Sequence, residues 1–416
     1  MVNFERFVLD NGLTVLVHED HSTAMAVVNI LYKVGARDES PEQTGFAHLF
    51  EHLMFGGSVN IPSYDGPLQQ VGGENNAFTS NDITNYYITL PANNLETAFW
   101  LESDRMLSLA FSEQSLEVQR QVVCEEFKQR YLNQPYGDVW LRLRPMAYKV
   151  HPYRWATIGK ELRHIEEAKM EDVKAFFHKF YTPQNAIMVV AGHVELAEVK
   201  ALAEKWFGNI PRGTAYHRDL PVEPRQNEAR REEVEAEVPA SSLYIAFHGP
   251  ARLDERYQTM DLISDVLSRG ASSRLYRTLV KEQELFSEVN AYVMGSIDPN
   301  LFVVEGKPLP GVSLEVAENA IWSTLHALKT AEISEQELQK VKNKIESTML
   351  FAELSILDKA MNLAYYEALG KAEDYNHEIE KYLAVSTQDV HALANEIFRP
   401  ENSSTLIYRA KGGENA

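Results

Sequence analysis

Two stretches of this chain read as copies of one pattern, and that duplication restricts the architecture more than any other feature. "EDVKAFFHKFYTPQNAIMVV" begins at Glu171 and "QDVHALANEIFRPENSSTLI" at Gln388. At one constant offset Asp172 matches Asp389, Val173 matches Val390, Ala175 matches Ala392, Pro183 matches Pro400 and Asn185 matches Asn402. A second echo pairs "YKVGARDES" with "HGPARLDER", each after a strand-like run and before a helix-like one. Matches that run on without a gap fit coincidental patterning poorly. Similarity at this period implies duplicated domains of about 200 residues, not a solenoid of short repeats. A length of 416 residues suits two such domains.

Local patterns fill in the halves. "MVNFERFVLDNGLTVLVHED" reads as a strand, an Asn-Gly turn and a second strand. Met25–Gly35 alternates and is β-branched, so it reads as a strand. "GFAHLFEHLMF" reads as a helix closed by Gly56 and Gly57. Asn75–Pro91 reads as one or two strands. Ser112 and Glu113 open a long helix that runs to about Leu132 and stops before Pro135. Asn185–Gly192 reads as a strand, followed by a helix near Leu196–Phe207. Between the halves, Asn209–Val238 is rich in proline and charge and poor in core-forming residues, so 211–238 is the expected linker. The expected domains are 1–210 and 239–416.

Composition excludes several roles. A formal net charge of −20 argues against nucleic acid as partner, because phosphate binding needs clustered Lys and Arg. Cys124 is the only cysteine, so no intrachain disulfide can form. No apolar run reaches about 18 residues, so no membrane span is expected. The first residues lack a basic start and an apolar core of signal-peptide length. The expected location is therefore soluble and cytoplasmic, or periplasmic if a signal was removed before this numbering begins.

The residues that carry chemistry lie in "GFAHLFEHLMFGGS", Gly45–Ser58. Residues four apart share one helix face, so His48 and His52 can offer two imidazole nitrogens to one point. Glu51 projects from a neighbouring side of that face. Zinc accepts His nitrogen in tetrahedral sites, and a catalytic zinc takes a third protein ligand and keeps one position open. The bland alternative is a buried helix whose histidines bond to backbone. Two histidines at ligand spacing with an acid between them favour the metal. The long helix from Ser112 supplies Glu125 and Glu126 as remote carboxylates. Glu126 shares a face with Gln119, Val122 and Val123, whereas Glu125 shares one with Gln121, Lys128 and Gln129. Glu126 is thus the better third ligand.

H-x-x-E-H reverses the more common zinc-protease order and is the signature of inverzincins. Together with the spacing to Glu126 and the duplicated halves, it resembles the pitrilysin/insulinase family of zinc metallopeptidases. The length is similar to that of the two-domain processing-peptidase branch and its bacterial relatives. The resemblance implies an α+β fold of two homologous αβ domains, each a mostly antiparallel sheet flanked by helices, together forming half of a clamshell. It implies one Zn2+ per chain on His48, His52 and Glu126, with Glu51 as general base. The reaction would be endopeptidase hydrolysis of unfolded or short peptides by a metal-activated water. "GGENNAFTSNDITNYY" looks like the family's substrate strand, so Asn76, Ala77 and Phe78 are expected to pair with extended peptide.

The second half departs from that pattern. Its matching helix, near Gln258–Leu267, offers Asp261, Ser264 and Asp265 in place of the motif. The family's Arg and Tyr, which hold substrate in the metal-free half, fall here on Val280 and Ser287. Arg274 and Tyr292 are near but off register. Gln119 stands where relatives often have a second glutamate. These departures imply the catalytic subunit of a heterodimer, whose related metal-free partner supplies Arg and Tyr, in preference to a homodimer. The alternative is a non-catalytic core or assembly subunit, or a peptide-binding module, of the same fold.

Overall fold

Central strands of a covered sheet must be apolar on both faces, and two segments of the first half meet that demand. Met25–Tyr32 is buried except at its first residue, and Ala186–Gly192 is buried throughout. In the computed structural model, which describes residues 1–411, these segments lie side by side inside a six-stranded sheet. Its strands are β1 (Glu5–Val8), β2 (Thr14–Glu19), β3 (Met25–Tyr32), β4 (Glu74–Thr79), β5 (Thr84–Pro91) and β6 (Ala186–Gly192). The spatial order is β1-β2-β6-β3-β5-β4. Every pairing is antiparallel except β2 with β6. The β1–β2 turn uses Asn11 and Gly12 as expected, with Gly12 at φ +88°.

The second sheet repeats this plan. It contains β7 (Arg230–Ala236), β8 (Ser242–His248), β9 (Phe286–Val293), β10 (Leu301–Pro308) and β11 (Ser403–Ala410), in the order β7-β11-β8-β10-β9. Its one parallel pair is β7 with β11. Laid over β2-β6-β3-β5-β4, order and strand direction agree pair by pair, and β1 is the addition. The duplicated residues do the same work in each copy. The Asn185 side chain donates to the Phe180 carbonyl at 2.9 Å, and Asn402 donates to the Ile397 carbonyl at 2.9 Å. Each closes the end of a helix and starts the last strand of its sheet.

The chain groups into two compact units, and these are not the contiguous halves. One gathers Met1–Gln129, Trp155–Pro221 and Leu350–His377; the other gathers Arg130–Arg154, Val222–Met349 and the residues from Glu378 onward. In the first unit the helix Ile356–Leu369 lies on the sheet, with Ala360, Leu363 and Ala364 packed among Leu16, Val27, Leu31, Ile187 and Val189. In the second unit the helix Val139–Ala147 takes the equivalent place, against Tyr244, Ala246, Leu406 and Tyr408. Each half of the sequence therefore lends one helix to the other half's sheet.

The expected linker, 211–238, differs in one respect: its residues 230–236 form β7. Residues of β7 alternate between half-buried and exposed, with Val234 and Ala236 packed against the Tyr244–Tyr408 cluster. Charged residues on the outer positions hide the strand period in "RREEVEA". They also suit an edge strand, where charge opposes pairing with another chain. Among the described residues no helix is long and apolar enough to cross a membrane.

Candidate metal centre

The motif helix, Phe46–Leu53, buries Phe46, Ala47, Leu49, Phe50 and Leu53. Its three remaining residues are His48, Glu51 and His52, and they form one half-buried polar stripe. The helix start is fixed by Gly45 and Glu39. Gly45 has φ +89°, and a Cβ there would sit 2.7 Å from the Ile158 carbonyl oxygen. Glu39 accepts hydrogen bonds from the amides of Gly45 (2.9 Å) and Ala47 (2.8 Å). It thus satisfies amides that have no partner inside the helix. Burial pushes the Glu39 carboxyl up to about 8, although those amides pull it down.

The third donor arrives on the helix Glu113–Phe127. Its Ser112 cap accepts from the Ser115 amide at 3.0 Å, and the helix continues as a wider π turn over Lys128–Leu132. Glu126 Oε2 lies 3.8 Å from His48 Nε2 and 3.5 Å from His52 Nε2. One donor atom from each residue falls within 4.8 Å of the others. A tetrahedral zinc with bonds of about 2.0–2.1 Å separates its ligands by about 3.3–3.4 Å. The two edges, 3.5 and 3.8 Å, are slightly longer than that, so the donor set fits such an ion after a small inward shift. Glu125, one residue away, is exposed and pairs with Lys128 at 2.8 Å.

Glu51 does not join the donor cluster. Its Oε2 accepts a 2.6 Å hydrogen bond from Thr79 Oγ1 on β4. Burial raises the Glu51 carboxyl above its ordinary value, opposed by the Thr79 bond and by His52. Thr79 lies inside the quoted substrate-strand segment but was not singled out by sequence. The signal was available in the strand period, which puts Thr79 on the face of Asn75 and Ala77. Among the described residues β4 pairs only with β5, at one edge of its sheet. Asn76, Ala77 and Phe78 occupy its middle, opposite Tyr87, Tyr86 and Asn85. The Asn76 side chain accepts from the Ala77 amide at 2.8 Å.

A buried cage also escaped sequence reading. Arg105 is 1% exposed and forms a two-pronged ion pair with Glu102. Its guanidinium lies 4.4 Å from the Tyr86 ring centre and 4.6 Å from that of Tyr64. Tyr64 donates to Glu102 at 2.6 Å. Phe55, just past the motif helix, stacks on the same guanidinium at 5.5 Å. A charge this deep is tolerable only when paired and bonded, and the cage backs the end of the motif helix.

The corresponding helix of the second unit, Tyr257–Ser268, carries no histidine, and its two carboxylates are engaged otherwise. Asp261 accepts from the Tyr382 hydroxyl at 2.7 Å, and Asp265 faces Arg269 at 3.3 Å. Arg274 is bound by Glu337 at 2.8 and 2.9 Å, and the Tyr292 hydroxyl donates to Glu305 at 3.1 Å. Val280 packs against the core of that unit, and Ser287 donates to the Lys307 carbonyl.

Residues 14–154 match the family model described as insulinase (peptidase family M16), and residues 168–345 match that of the peptidase M16 inactive domain. The zinc protease PqqE of Helicobacter pylori is 31% identical over 97% of this chain and 92% of its own. The chain belongs to peptidase family M16. An uncharacterized zinc protease of Bacillus subtilis, YmxG, is 25% identical over 97% of this chain and 98% of its own. The crystal structure of a protease from H. pylori superposes with a TM-score of 0.92 at 30% identity, covering 98% of this chain and 100% of that one. Pitrilysin shares the fold (TM-score 0.78, 18% identity), with 99% of this M16 chain covering 45% of pitrilysin.

Proposed function

We propose that this M16 protein is a zinc-dependent endopeptidase, with His48, His52 and Glu126 holding the ion and Glu51 moving the proton. The observation that carries the reading is the approach of both imidazole Nε2 atoms to one Glu126 oxygen from a separate helix, with Glu51 beside them. A zinc ion there would acidify water near neutral pH and polarise a peptide carbonyl. Thr79 holds Glu51 Oε2, which leaves Oε1 to take a proton from the attacking water. As the water oxygen bonds to the carbonyl carbon, the carbon–nitrogen bond breaks and Glu51 returns the proton to the leaving amine.

An extended peptide would add to the free edge of β4 at Asn76, Ala77 and Phe78. Main-chain pairing supplies affinity with little sequence demand. The Asn76 side chain covers the Ala77 amide and would give way to the substrate strand. Unfolded or short peptides meet this requirement.

The chain acts as the catalytic subunit beside a related metal-free chain that supplies Arg and Tyr. Support comes from Val280 and Ser287 at the family's Arg and Tyr positions, and from the internal bonds that occupy Arg274 and Tyr292. The same departure favours a second reading, a non-catalytic assembly subunit. Glu51→Gln separates the two. The variant should keep its zinc and lose cleavage of an unfolded peptide when mixed with the partner chain. Equal cleavage by wild type and variant would refute the assignment of Glu51, and a zinc-loaded wild type without cleavage would favour the assembly role.

A further inference from the structure

A second set of metal donors converges in the first unit and shares no residue with the candidate centre. Glu19 ends β2, His21 lies in the turn to β3, and Glu195 immediately precedes the helix Leu196–Phe207. One donor atom from each lies within 4.8 Å of the others, and all three side chains are exposed. His21 Nε2 is 3.7 Å from Glu195 Oε1. Among the described residues neither Glu19 nor Glu195 has a Lys or Arg partner within 4 Å. Two carboxylates thus face one imidazole without a neutralising side chain, on a chain of net charge −20.

The backbone under these groups is fixed. Glu19 pairs with Gly192 in the β2–β6 ladder, and the Asp20 amide donates to the Gly192 carbonyl at 2.7 Å. Glu19 Oε1 accepts from the Leu196 amide at 2.7 Å, which orients the carboxylate and leaves its other oxygen for a ligand. Next to the cluster, His193 Nδ1 donates to the Thr23 carbonyl at 3.0 Å. A carbonyl only accepts, so this contact makes Nδ1 the donor and places the lone pair of the neutral ring on Nε2. The His193 ring stands edge-on to His21, at 4.9 Å and 84°. His48 and His52 stand at 4.8 Å and 85°. The molecule therefore holds two histidine pairs in nearly the same mutual arrangement, each with a carboxylate within 4 Å.

We propose that Glu19, His21 and Glu195 form a second, peripheral site for a divalent transition ion of the zinc type, with His193 alongside. An imidazole ligand favours zinc, cobalt, nickel or copper over magnesium and calcium. The ion joins the β2–β3 turn to the start of the Leu196–Phe207 helix, so its effect is on stability and not on peptide cleavage. The proposal does not depend on the function assigned to the first site.

Zinc stoichiometry tests it. Wild type, His21→Ala/Glu195→Gln, His48→Gln/His52→Gln and the combined variant are dialysed against micromolar free zinc at neutral pH, and bound metal per chain is measured. The expected values are two, one, one and none. Zinc should also raise the melting temperature of His48→Gln/His52→Gln but not of the combined variant. Equal zinc content in wild type and His21→Ala/Glu195→Gln overturns the proposal. That comparison uses two surface substitutions and stands even if the His48→Gln/His52→Gln chain fails to fold. Loss of metal from the first site alone leaves the wild-type difference intact, so failure of the two assignments reads differently.

Discussion

Thr79 Oγ1 donates a 2.6 Å hydrogen bond to Glu51 Oε2, tying the edge strand β4 to the motif helix. A peptide pairing with β4 would bear on the residue that orients Glu51, the proposed general base. Hydrogen bonds to charged groups contribute about 1.5–3 kcal/mol, or about 10- to 100-fold in rate if the whole effect falls on the transition state. Thr79→Val should therefore lower kcat by roughly that factor with KM and zinc content little changed. Thr79→Ser, which keeps the hydroxyl, should restore most of it. A Thr79→Val protein with full kcat would show that Glu51 needs no such support.

Glu126 and Glu125 offer a matched pair for metal binding. They are adjacent in sequence, but only Glu126 approaches the imidazoles, while Glu125 bonds to Lys128 on the outer surface. Glu126→Gln should weaken zinc binding at this site at least tenfold, and Glu125→Gln should leave it unchanged. Competition with a chelator of known affinity measures both. Equal weakening in the two variants would point to a general charge effect instead of ligation.

Glu39 predicts a pH dependence of folding. Its carboxyl titrates near 4.5 in an unfolded chain and is pushed by burial to about 8 in the folded one. Between those values the folded state binds the extra proton, so stability falls as pH rises. The contribution is fully present below about 4.5 and lost as pH passes about 8. His164, lowered by burial, acts in the opposite sense at and below its ordinary value of 6.5, where the unfolded state binds the extra proton. Denaturant unfolding of the metal-free chain between pH 6.5 and 8.5 should thus show declining stability, and Glu39→Gln should flatten the decline. An unchanged slope in the variant would remove Glu39 as its source.

Much of this site is legible in sequence because helical geometry is local. A four-residue spacing puts His48 and His52 on one face, and the same rule separates Glu126 from Glu125. The structure brings donor atoms of His48, His52 and Glu126 near one another, and it forms the Asn11-Gly12 turn and the Ser112 cap. What escapes is set by partners distant in the chain. Thr79 finds Glu51 only when β4 meets the motif helix. Nothing in the local sequence of Arg105 announces the cage that Tyr64, Tyr86 and Glu102 build around it. The outward charges of β7 obscure its strand period. An amphipathic helix such as Ile356–Leu369 announces that it has a buried face but not which sheet will cover it.

The exchange of helices between the two halves governs how fragments of the chain behave. Residues 1–221 contain the whole candidate metal centre and all six strands of the first sheet, and resemble an autonomous domain. They lack Leu350–His377, which covers Leu16, Val27, Leu31, Ile187 and Val189. Without that helix a face of the sheet rich in buried aliphatic side chains is open to water, a recognised route to aggregation. The fragment also keeps 130–154, whose apolar residues Val139, Leu143 and Tyr148 belong against the other sheet. It should therefore be poorly soluble or unfold without cooperativity. Adding 350–377 through a flexible linker and replacing 130–154 by a short polar loop should recover a cooperative melt. Lys359 gives an internal control, because its ammonium bonds Asp20 at 2.7 Å at the end of β2 and holds that carboxyl far below its usual range. If the helix docks as in the whole chain, Lys359→Met should lower the melting temperature of the repaired fragment near neutral pH and lose that effect in strong acid, where Asp20 is protonated. A fragment 1–221 that melts cooperatively on its own would show that the exchanged helix is dispensable for the first sheet.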